Sequence, residues 1–276
     1  MRSVLVTGAS TGIGVSCALW LEARGFRVFA GVRKPQDAEA LVAKSKGSLT
    51  PVFVDVTNAA SVADAVRQVR DLSPSLDGLV NNAGIAISAP VEFMGLEDLR
   101  RILEVNTVGQ IAVTQAFLPL LRPASGRIVM MSSISGKVSA PFFGAYSASK
   151  FALEALSDSL RRELKPWGLH VAVVEPGNIR TPIWKKGAAW GEEMRAGLPQ
   201  EALALYGTRL EGLLRYVRAQ DGVGSPPEEV ARAVEHALTS PNPRTRYVVG
   251  RDAKMAALLL RLLPDWAVDR FLAARA

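Results

Sequence analysis

Short apolar runs alternate with longer amphipathic segments through most of the chain. The short runs are rich in Val, Leu and Ile, which is typical of strands buried on both faces. They predict strands at residues 3–7, 27–32, 49–54, 78–81, 126–131, 169–174 and 245–249. Helical spacing predicts helices at residues 12–24, 37–46, 61–72, 96–121, 146–165 and 225 to about 238, with a break in the fourth near residues 106–109.

Strands separated by helices form βαβ units, whose crossovers build a parallel sheet covered on both faces. The pattern therefore predicts an α/β fold with an open, doubly wound sheet. In such a sheet, ligands bind beyond the carboxyl ends of the strands.

The pattern changes after Thr181. Residues 182–225 hold several glycines among short helical pieces, and an irregular segment of this length is usually a lid or a binding loop. Ser225 is predicted to cap the helix that follows, with Pro226 in its first turn. Residues 253–276 form a basic amphipathic tail, predicted as two short helices split at Pro264. Without repeats or a low-complexity linker, residues 1–276 are expected to form one domain.

Composition removes several classes of protein. The net charge of the 276 residues is +7, but no run of five cations occurs, so a nucleic-acid partner is not expected. One cysteine, Cys17, and two histidines exclude an internal disulfide, a structural zinc site and a multi-histidine metal centre. No signal peptide and no apolar stretch of about 20 residues is visible, so a cytoplasmic protein is the default expectation.

The first candidate for chemistry is the glycine-rich segment between the first strand and the first helix. It reads Thr7-Gly8-Ala9-Ser10-Thr11-Gly12-Ile13-Gly14. Glycine allows the backbone to approach a pyrophosphate, and a helix N-terminus offers free N–H groups to it. The alternative is a tight turn with a structural role alone.

The second candidate pairs Tyr146 with Lys150, four residues apart on one helix face. A nearby ammonium favours the phenolate and lowers the pKa of the phenol, which suits general acid–base chemistry. Ser133, at the end of the fifth strand, could hydrogen-bond a substrate oxygen. The alternatives are a packed Tyr with a solvated Lys, and a polar strand end.

Together these residues resemble the short-chain dehydrogenase/reductase family. The resemblance covers residues 4–182 and 225–249 and includes Asn81-Asn82-Ala83-Gly84, Asn106 and Pro176-Gly177-x-x-x-Thr181. It implies a Rossmann-type, seven-stranded parallel sheet in three αβα layers, and NAD(P)-dependent oxidation of alcohols or reduction of carbonyls. The branch with retinol and hydroxysteroid dehydrogenases is loosely similar in its lid and tail.

The resemblance also implies roles for individual residues. Tyr146 would exchange the proton, Lys150 would lower its pKa and hold the nicotinamide ribose, Ser133 would steady the substrate oxygen, and Asn106 would hold a water linked to Lys150. The remaining residues would line the cofactor; they are Gly8, Ser10, Thr11, Gly12, Ile13, Gly14, Arg33, Lys34, Asp55, Val56, Asn82, Ala83, Gly84, Pro176, Gly177, Ile179 and Thr181. No metal site is expected.

Cofactor choice depends on the end of the second strand. An acid there would bind both ribose hydroxyls of NAD(H), whereas cations would bind the 2′-phosphate of NADP(H). Val32 occupies the position that is acidic in the family this chain resembles, and Arg33 and Lys34 follow. The sequence favours NADP(H); NAD(H) is the alternative if Arg33 is a solvated loop residue.

The substrate and partners follow less directly. The apolar, aromatic lid suits a hydrophobic alcohol or carbonyl. The tail could lie on an anionic membrane or cover the chain's own surface, and the latter is expected. Family members usually form dimers or tetramers through helices that correspond to residues 107–121 and 151–165. Leu153, Leu156 and Leu160 could supply the contact or could face the sheet. A dinucleotide-binding protein without turnover is the alternative from another functional class.

Overall fold

A computed structural model describes residues 1–273, with the side chains at positions 271 and 273 excluded. Seven parallel strands form one sheet in the order β3-β2-β1-β4-β5-β6-β7. The strands are β1 (Ser3–Val6), β2 (Arg27–Val32), β3 (Leu49–Phe53), β4 (Gly78–Asn81), β5 (Arg127–Met131), β6 (His170–Pro176) and β7 (Arg246–Val249). This order reverses beside β1, where a doubly wound sheet binds its ligands. The predicted Rossmann-type, seven-stranded parallel fold is confirmed.

Helices cover both faces of the sheet. They are α1 (Gly12–Ala23), α2 (Pro35–Val42), α3 (Ala59–Leu72), α4 (Leu96–Leu103), α5 (Gly109–Leu121), α6 (Gly144–Glu163), α7 (Ile183–Gly197), α8 (Gln200–Ala219), α9 (Pro227–Thr239), α10 (Arg251–Leu262) and α11 (Asp265–Ala273). Side chains of α1, α2 and α9 pack with Val4 and Val6 on one face of β1. Side chains of α3, α5 and α6 pack with Leu5 on the other. The alternation of β1 side chains thus divides the core into two layers.

Leu153 and Leu160 belong to the second of these layers, so they face the sheet. Leu156 points outward and is 39% exposed. Of the three leucines considered for subunit contact, only Leu156 remains available.

The predicted break in the long helix is a short π-helix, Glu104–Val108, between α4 and α5. The other predicted boundaries agree within two residues, except that α2 starts two residues earlier and ends four earlier. Pro35 fits the first helical position, where its missing N–H costs nothing.

The lid was predicted wrongly as an irregular segment. It consists of two helices of 15 and 20 residues, α7 and α8, packed against each other. Gly191 is the reason: a Cβ there would lie 2.8 Å from Leu214 Cδ2, so the missing side chain permits close helix contact. Ion pairs Arg195–Glu211 and Arg218–Glu192 join the same helices. Gly191 therefore favours helix packing, not a loop.

The predicted cap at Ser225 is also wrong. Helix α9 begins at Pro227 and Pro226 occupies the cap position. Ser225 instead forms a bridge with Ile179: its N–H donates to Asn178 O at 2.9 Å, and its carbonyl accepts from Arg180 N at 3.0 Å. Its backbone is extended by this pairing, which ties the end of the lid to the loop after β6.

The tail forms α10 and α11, separated at Pro264 as predicted. Ala253 is buried, whereas Met255, Leu258, Leu262 and Trp266 are exposed. Only part of the tail therefore packs on the chain itself. The Phe271 side chain and Arg275, also assigned to the tail from the sequence, lie outside the described residues.

Cys17 lies on α1 and is completely buried in the first core layer. Burial raises the pKa of its thiol to about 12, because the thiolate would lose its hydration. Within residues 1–273, no helix is both long and apolar enough to cross a membrane.

Candidate active site

The turn between β1 and α1 has the geometry of a phosphate cradle. Gly8 and Gly12 have φ values of 64° and 58°, in the left-handed region that favours glycine. Ala9 N donates to Gly31 O at 2.8 Å and fixes the turn to β2. A Cβ on Gly14 would overlap the carbonyl oxygen of Gly8. All three motif glycines therefore have a geometric reason to lack a side chain.

Asn82 holds this turn from the neighbouring strand. Its Nδ2 donates to Thr7 O at 2.9 Å and to Gly8 O at 3.2 Å. The Thr7 hydroxyl accepts from the backbone N–H groups of Asn82 and Ala83 at 3.0 and 3.1 Å. The side chain of Asn82 thus binds the glycine-rich turn. Thr7 opens the predicted motif, but the sequence reasoning did not assign a role to its hydroxyl.

The N-terminus of α1 fits an anionic ligand. Thr11 stands at the cap position without a side-chain hydrogen bond to the helix. The first-turn N–H groups, which include those of Gly12, Ile13 and Gly14, have no partner within the helix and meet the positive end of its dipole. Ser10 and Thr11 are half-buried and exposed, respectively, beside them. These residues suit the pyrophosphate of a dinucleotide.

The end of β2 carries cations and no carboxylate. Val32 is buried, while Arg33 and Lys34 are exposed. Hydrogen bonds from Thr57, together with the nearby Arg33 guanidinium, lower the pKa of Asp55. Arg33 and Asp55 therefore lie close enough for an electrostatic interaction. Val56 is buried against Gly109, at the start of α5.

Ser133, Tyr146 and Lys150 converge at the carboxyl end of β5. The Ser133 side chain lies near enough to Tyr146 to lower the pKa of its phenol. Lys150 Nζ lies 5.8 Å from the centroid of the Tyr146 ring and donates to Met131 O at 2.8 Å. Ser133 also accepts from Ser135 N at 3.1 Å and so caps the short 3₁₀ helix Ile134–Gly136. Ser133 therefore has a structural role as a cap and also lies beside Tyr146.

The pKa of Tyr146 differs from the sequence-based expectation. Burial raises it, and the nearby Ser133 side chain opposes the rise only in part. Burial also lowers the pKa of Lys150 to about 8, while the charge of Glu154 acts in the opposite direction. For both groups the loss of hydration is the larger effect. The expected lowering of the phenol's pKa is therefore not observed.

Asn106 lies at the centre of the π-helix and is fully buried. Its Oδ1 accepts from Ile85 N at 2.8 Å, and its Nδ2 donates to Ile85 O at 2.9 Å and to Ser149 Oγ at 3.0 Å. A Cβ on Gly84 would lie 3.3 Å from Asn106 Oδ1 and 3.8 Å from Lys150 Nζ. Asn106 and Lys150 thus meet beside Gly84, with Asn106 joining the β4 loop to α6.

The loop after β6 brings its residues to the opposite side of the cradle. A Cβ on Gly12 would lie 3.2 Å from Thr181 Cβ. Gly177 N donates to Val249 O at 2.8 Å, and Pro176 ends β6. The side chain of Ile179 is 3% exposed in the first core layer, so its contribution to a cofactor surface would come from its backbone.

Asp252 is a site residue that the sequence did not reveal. Its Oδ2 accepts from Asn178 N at 2.7 Å, and a Cβ on Gly177 would overlap its carboxylate. It therefore fixes α10 to the loop after β6. Gly177 and Asp252 are 75 residues apart in the sequence, and only the fold brings them together.

A small apolar cluster surrounds Tyr146. Ile87, Ile102 and Ala145 are buried in it, with Tyr146 and the lid residue Trp190 packed against them. The lid also approaches the loop after β6, where Trp184 Nε1 donates to Ile179 O at 3.2 Å. The phenol thus has an apolar neighbourhood partly supplied by α7.

The sequence and the fold were compared with known proteins. The family model "short chain dehydrogenase" matches residues 2–192. Retinol dehydrogenase 5 of Mus musculus is 40% identical over 98% of this chain and 87% of its own length. 17-beta-hydroxysteroid dehydrogenase type 6 of Bos taurus is also 40% identical, with the same shares.

Solved structures agree with this assignment. A short-chain dehydrogenase from Streptomyces avermitilis has a TM-score of 0.77 and 28% identity, covering 93% of this chain and 90% of its own. A short-chain dehydrogenase from Burkholderia cenocepacia, solved with NADP, has a TM-score of 0.74 and 27% identity over 99% of both chains. The chain belongs to the short-chain dehydrogenase family and is an NAD(P)-dependent oxidoreductase.

Proposed function

We propose that this enzyme uses NADP(H) to interconvert a hydrophobic secondary or primary alcohol and its carbonyl compound. The convergence of Ser133, Tyr146 and Lys150 beneath an apolar cluster carries the proposal. When bound, the nicotinamide ring gives or takes the hydride. The chain's own residues must bind the substrate oxygen, move its proton and keep water away.

Tyr146 is the group that exchanges the proton with the substrate oxygen. Its raised pKa keeps the phenol protonated near neutrality, which suits protonation of a carbonyl oxygen. Ser133, which lies beside Tyr146 and is fixed by its hydrogen bond from Ser135 N, offers a preorganised hydroxyl to the same oxygen. Lys150 places a cation next to the phenol and stabilises the phenolate as charge develops.

Replacement of Tyr146 by Phe tests this role. We expect Tyr146→Phe to lose at least about 100-fold in turnover, because a general acid–base contributes about that much. Cofactor affinity should stay within a factor of a few, since the ring and its packing remain. Turnover should be followed with a panel of lipophilic ketones, aldehydes and alcohols. A mutant that retains full activity would refute the role.

Preference for NADP(H) is supported by the exposed Arg33 and Lys34 next to the buried Val32. A 2′-phosphate would meet two cations there, whereas no carboxylate ends β2 to bind both ribose hydroxyls. The related structure from Burkholderia cenocepacia was solved with NADP.

Titration of tryptophan fluorescence with NADPH and with NADH tests the preference. We expect NADPH to bind at least about tenfold more tightly, and Arg33→Ala to remove most of that difference. Arg162→Ala is the matched control, because Arg162 is 66% exposed near the far end of α6. Equal or tighter binding of NADH would instead establish NAD(H) as the cofactor.

The substrate class is proposed from the apolar cluster and the names of the relatives. Retinol and 17-beta-hydroxysteroid dehydrogenases act on lipophilic alcohols by their names. In this chain, the half-buried Ile85, Met94 and Trp190 pack in the same cluster as Tyr146, and burial of their remaining apolar surface against a lipophilic substrate is favourable. A failure of every substrate, together with tight cofactor binding, would favour a dinucleotide-binding protein without turnover.

A peripheral membrane role is the second candidate, and the outer face of α10 favours it. Met255, Leu258 and Leu262 are exposed there, with Lys254 and Arg261 alongside. Such a face can lie on anionic lipid. Co-sedimentation with anionic vesicles that is lost in the double variant Leu258→Glu, Leu262→Glu would establish this role. A chain that remains in the supernatant would exclude it.

A further inference from the structure

An ionic cluster lies against the candidate site, and neither the motifs nor the proposed reaction accounts for it. Arg246 contacts three carboxylates: Glu154 Oε2 at 3.0 Å, Asp158 Oδ1 at 3.0 Å and Glu175 Oε1 at 3.2 Å. Lys137 Nζ contacts Glu154 Oε2 at 3.1 Å and Glu175 Oε1 at 3.4 Å. Glu154 and Glu175 have side-chain exposures of 7% and 2%, so these carboxylates are nearly dry.

The cluster joins the three segments that carry the site residues. Lys137 ends the 3₁₀ helix that Ser133 caps. Glu154 lies one turn beyond Lys150 on α6, and Glu175 directly precedes Pro176 at the end of β6. A Cβ on Gly136 would lie 3.1 Å from Glu154 Cγ and 3.3 Å from Lys150 O, so the 3₁₀ helix packs closely on α6 there.

Glu154 is the member of the cluster that faces Lys150. The two residues are spaced i, i+4, so their side chains share one face of α6. Glu154 Oε2 binds Lys137 and Arg246, whereas the buried Oε1 has no hydrogen-bond partner in the described part of the chain. Lys150 is 5% exposed, and its hydrogen bond to Met131 O supplies a neutral acceptor only. A buried ammonium of this kind needs a compensating negative charge.

The other neighbours of Lys150 do not supply that charge. On α6, Tyr146 is protonated near neutrality, and Asp158 lies two turns further on and binds Arg161 and Arg246. The β4 loop and the π-helix place the neutral Gly84 and Asn106 beside it. Lys137, from the 3₁₀ helix, and Arg246, from β7, are cations, and Glu175 of β6 is bound by both.

We propose that Glu154 is a positioning residue that keeps Lys150 protonated above neutral pH and is itself aimed by Lys137 and Arg246. The proposal rests on the proposed function only in taking Lys150 as a working part of the site. Its consequence is that the carboxylate of Glu154, not the rest of the cluster, sets the pH at which Lys150 loses its proton.

The direct test is the titration of Lys150 itself in the full chain. Protein labelled with carbon-13 at lysine Cε gives one resonance that is missing in Lys150→Arg, and its shift against pH gives the midpoint. We expect Glu154→Gln to lower this midpoint by about one pH unit, because a buried opposite charge within 4–6 Å shifts a pKa by roughly that amount or more. Asp158→Asn, which removes a charge from the same cluster, should leave it within about 0.3 unit of the wild type.

Two outcomes would overturn the proposal. One is an unchanged midpoint in folded Glu154→Gln; the other is an equal drop in Asp158→Asn, which would assign the effect to the cluster as a whole. If Glu154→Gln does not fold, Glu154→Asp serves instead. Its carboxylate is withdrawn by one methylene, so a smaller drop is expected, and no drop overturns the proposal.

A second readout separates positioning from mere stabilisation. The affinity for NADPH should decrease at basic pH as Lys150 loses its proton. In Glu154→Gln, the pH at which this decrease occurs should be lower by the same amount as the Lys150 midpoint. Thermal unfolding of both variants measures the structural contribution separately. If the wild type neither binds NADPH nor turns over substrate, the proposed function fails, while the Lys150 midpoint still decides the role of Glu154.

Discussion

Lys150 carries its charge at a cost in stability. Its pKa is lowered to about 8 from 10.5, because burial removes the ammonium from water. Below pH 8 the folded and unfolded chains both hold this proton, so the folded state bears the full cost. Between pH 8 and 10.5 the unfolded chain binds more protons, so the free energy of unfolding rises with pH.

Replacement of Lys150 by Met should remove that dependence. Between pH 7 and pH 9, we expect the wild type to gain about 1 kcal/mol in free energy of unfolding relative to Lys150→Met. Urea unfolding at the two pH values measures the difference, and staying below pH 10 avoids titration of tyrosine. Lys44→Met is the control, because Lys44 is exposed and should show no such gain. A constant difference between wild type and Lys150→Met would contradict the lowered pKa.

At the residue scale, what the sequence predicted depends on how local the cause is. The spacing of Tyr146 and Lys150 follows from helix geometry and was available from the sequence. Their pKa values were not, because desolvation depends on elements distant in sequence, such as the lid. The roles of Thr7 and Asp252 were not predicted for the same reason, because each binds a partner that the fold brings near, although Thr7 itself stands in the predicted motif. Glu154 was missed because it is a common residue type outside any motif.

At the scale of elements, the β1–α1 connection is the most constrained segment. Gly14 lies against the carbonyl oxygen of Gly8, and a Cβ on Gly14 would lie only 2.6 Å from Asn82 Nδ2. Any side chain at this position must push α1 away from the turn, which would displace the N–H groups that suit a pyrophosphate.

We therefore expect Gly14→Ala to lower the unfolding temperature and to abolish NADPH binding. Gly207→Ala is the matched control: Gly207 lies inside α8, and a Cβ there would meet nothing within 4 Å. It should stabilise the chain by about 0.5–1 kcal/mol through helix propensity and leave NADPH binding unchanged. Calorimetry and fluorescence titration measure both effects, and tight NADPH binding by Gly14→Ala would rule out the cradle.

The elements also show where hydrophobic periodicity is sufficient. The seven strands and their helices were predictable because the inner strands are short apolar runs buried on both faces of the sheet, whereas the edge strands β3 and β7 are partly exposed. The lid was not, because glycine signals a loop in a single sequence but permits close helix contact at Gly191. The prediction of a cap at Ser225 was wrong because the backbone of Ser225 pairs with Ile179, which is distant in sequence.

At the scale of the whole molecule, the outer surface near α6 carries unpaired apolar side chains. Val108 and Phe151 are 51% and 45% exposed. They lie near each other, since Thr107 Oγ1 donates to Ser149 O at 2.9 Å. This region falls within the helices through which family members were expected to associate.

Self-association through this surface predicts that Phe151→Asp gives a smaller particle than the wild type. A buried charge at a subunit contact has no partner and opposes association. Light scattering after size exclusion measures the mass. Val223→Asp is the control, because Val223 is 51% exposed after α8, away from this surface. A wild type that is already monomeric, or an unchanged mass in Phe151→Asp, would count against the contact.

Because the single cysteine is buried, the rate at which its thiol reacts with a labelling reagent reports local opening of the fold. Cys17 sits one turn and a half into α1, beneath the glycine-rich turn, with its thiol fully enclosed and its pKa raised to about 12. A thiol reagent can therefore reach it only when α1 lifts from α9 and the sheet, so the labelling rate counts those openings. A dinucleotide held at the N-terminus of α1 should lower the labelling rate of Cys17. This decrease would report binding of the dinucleotide without any substrate or turnover.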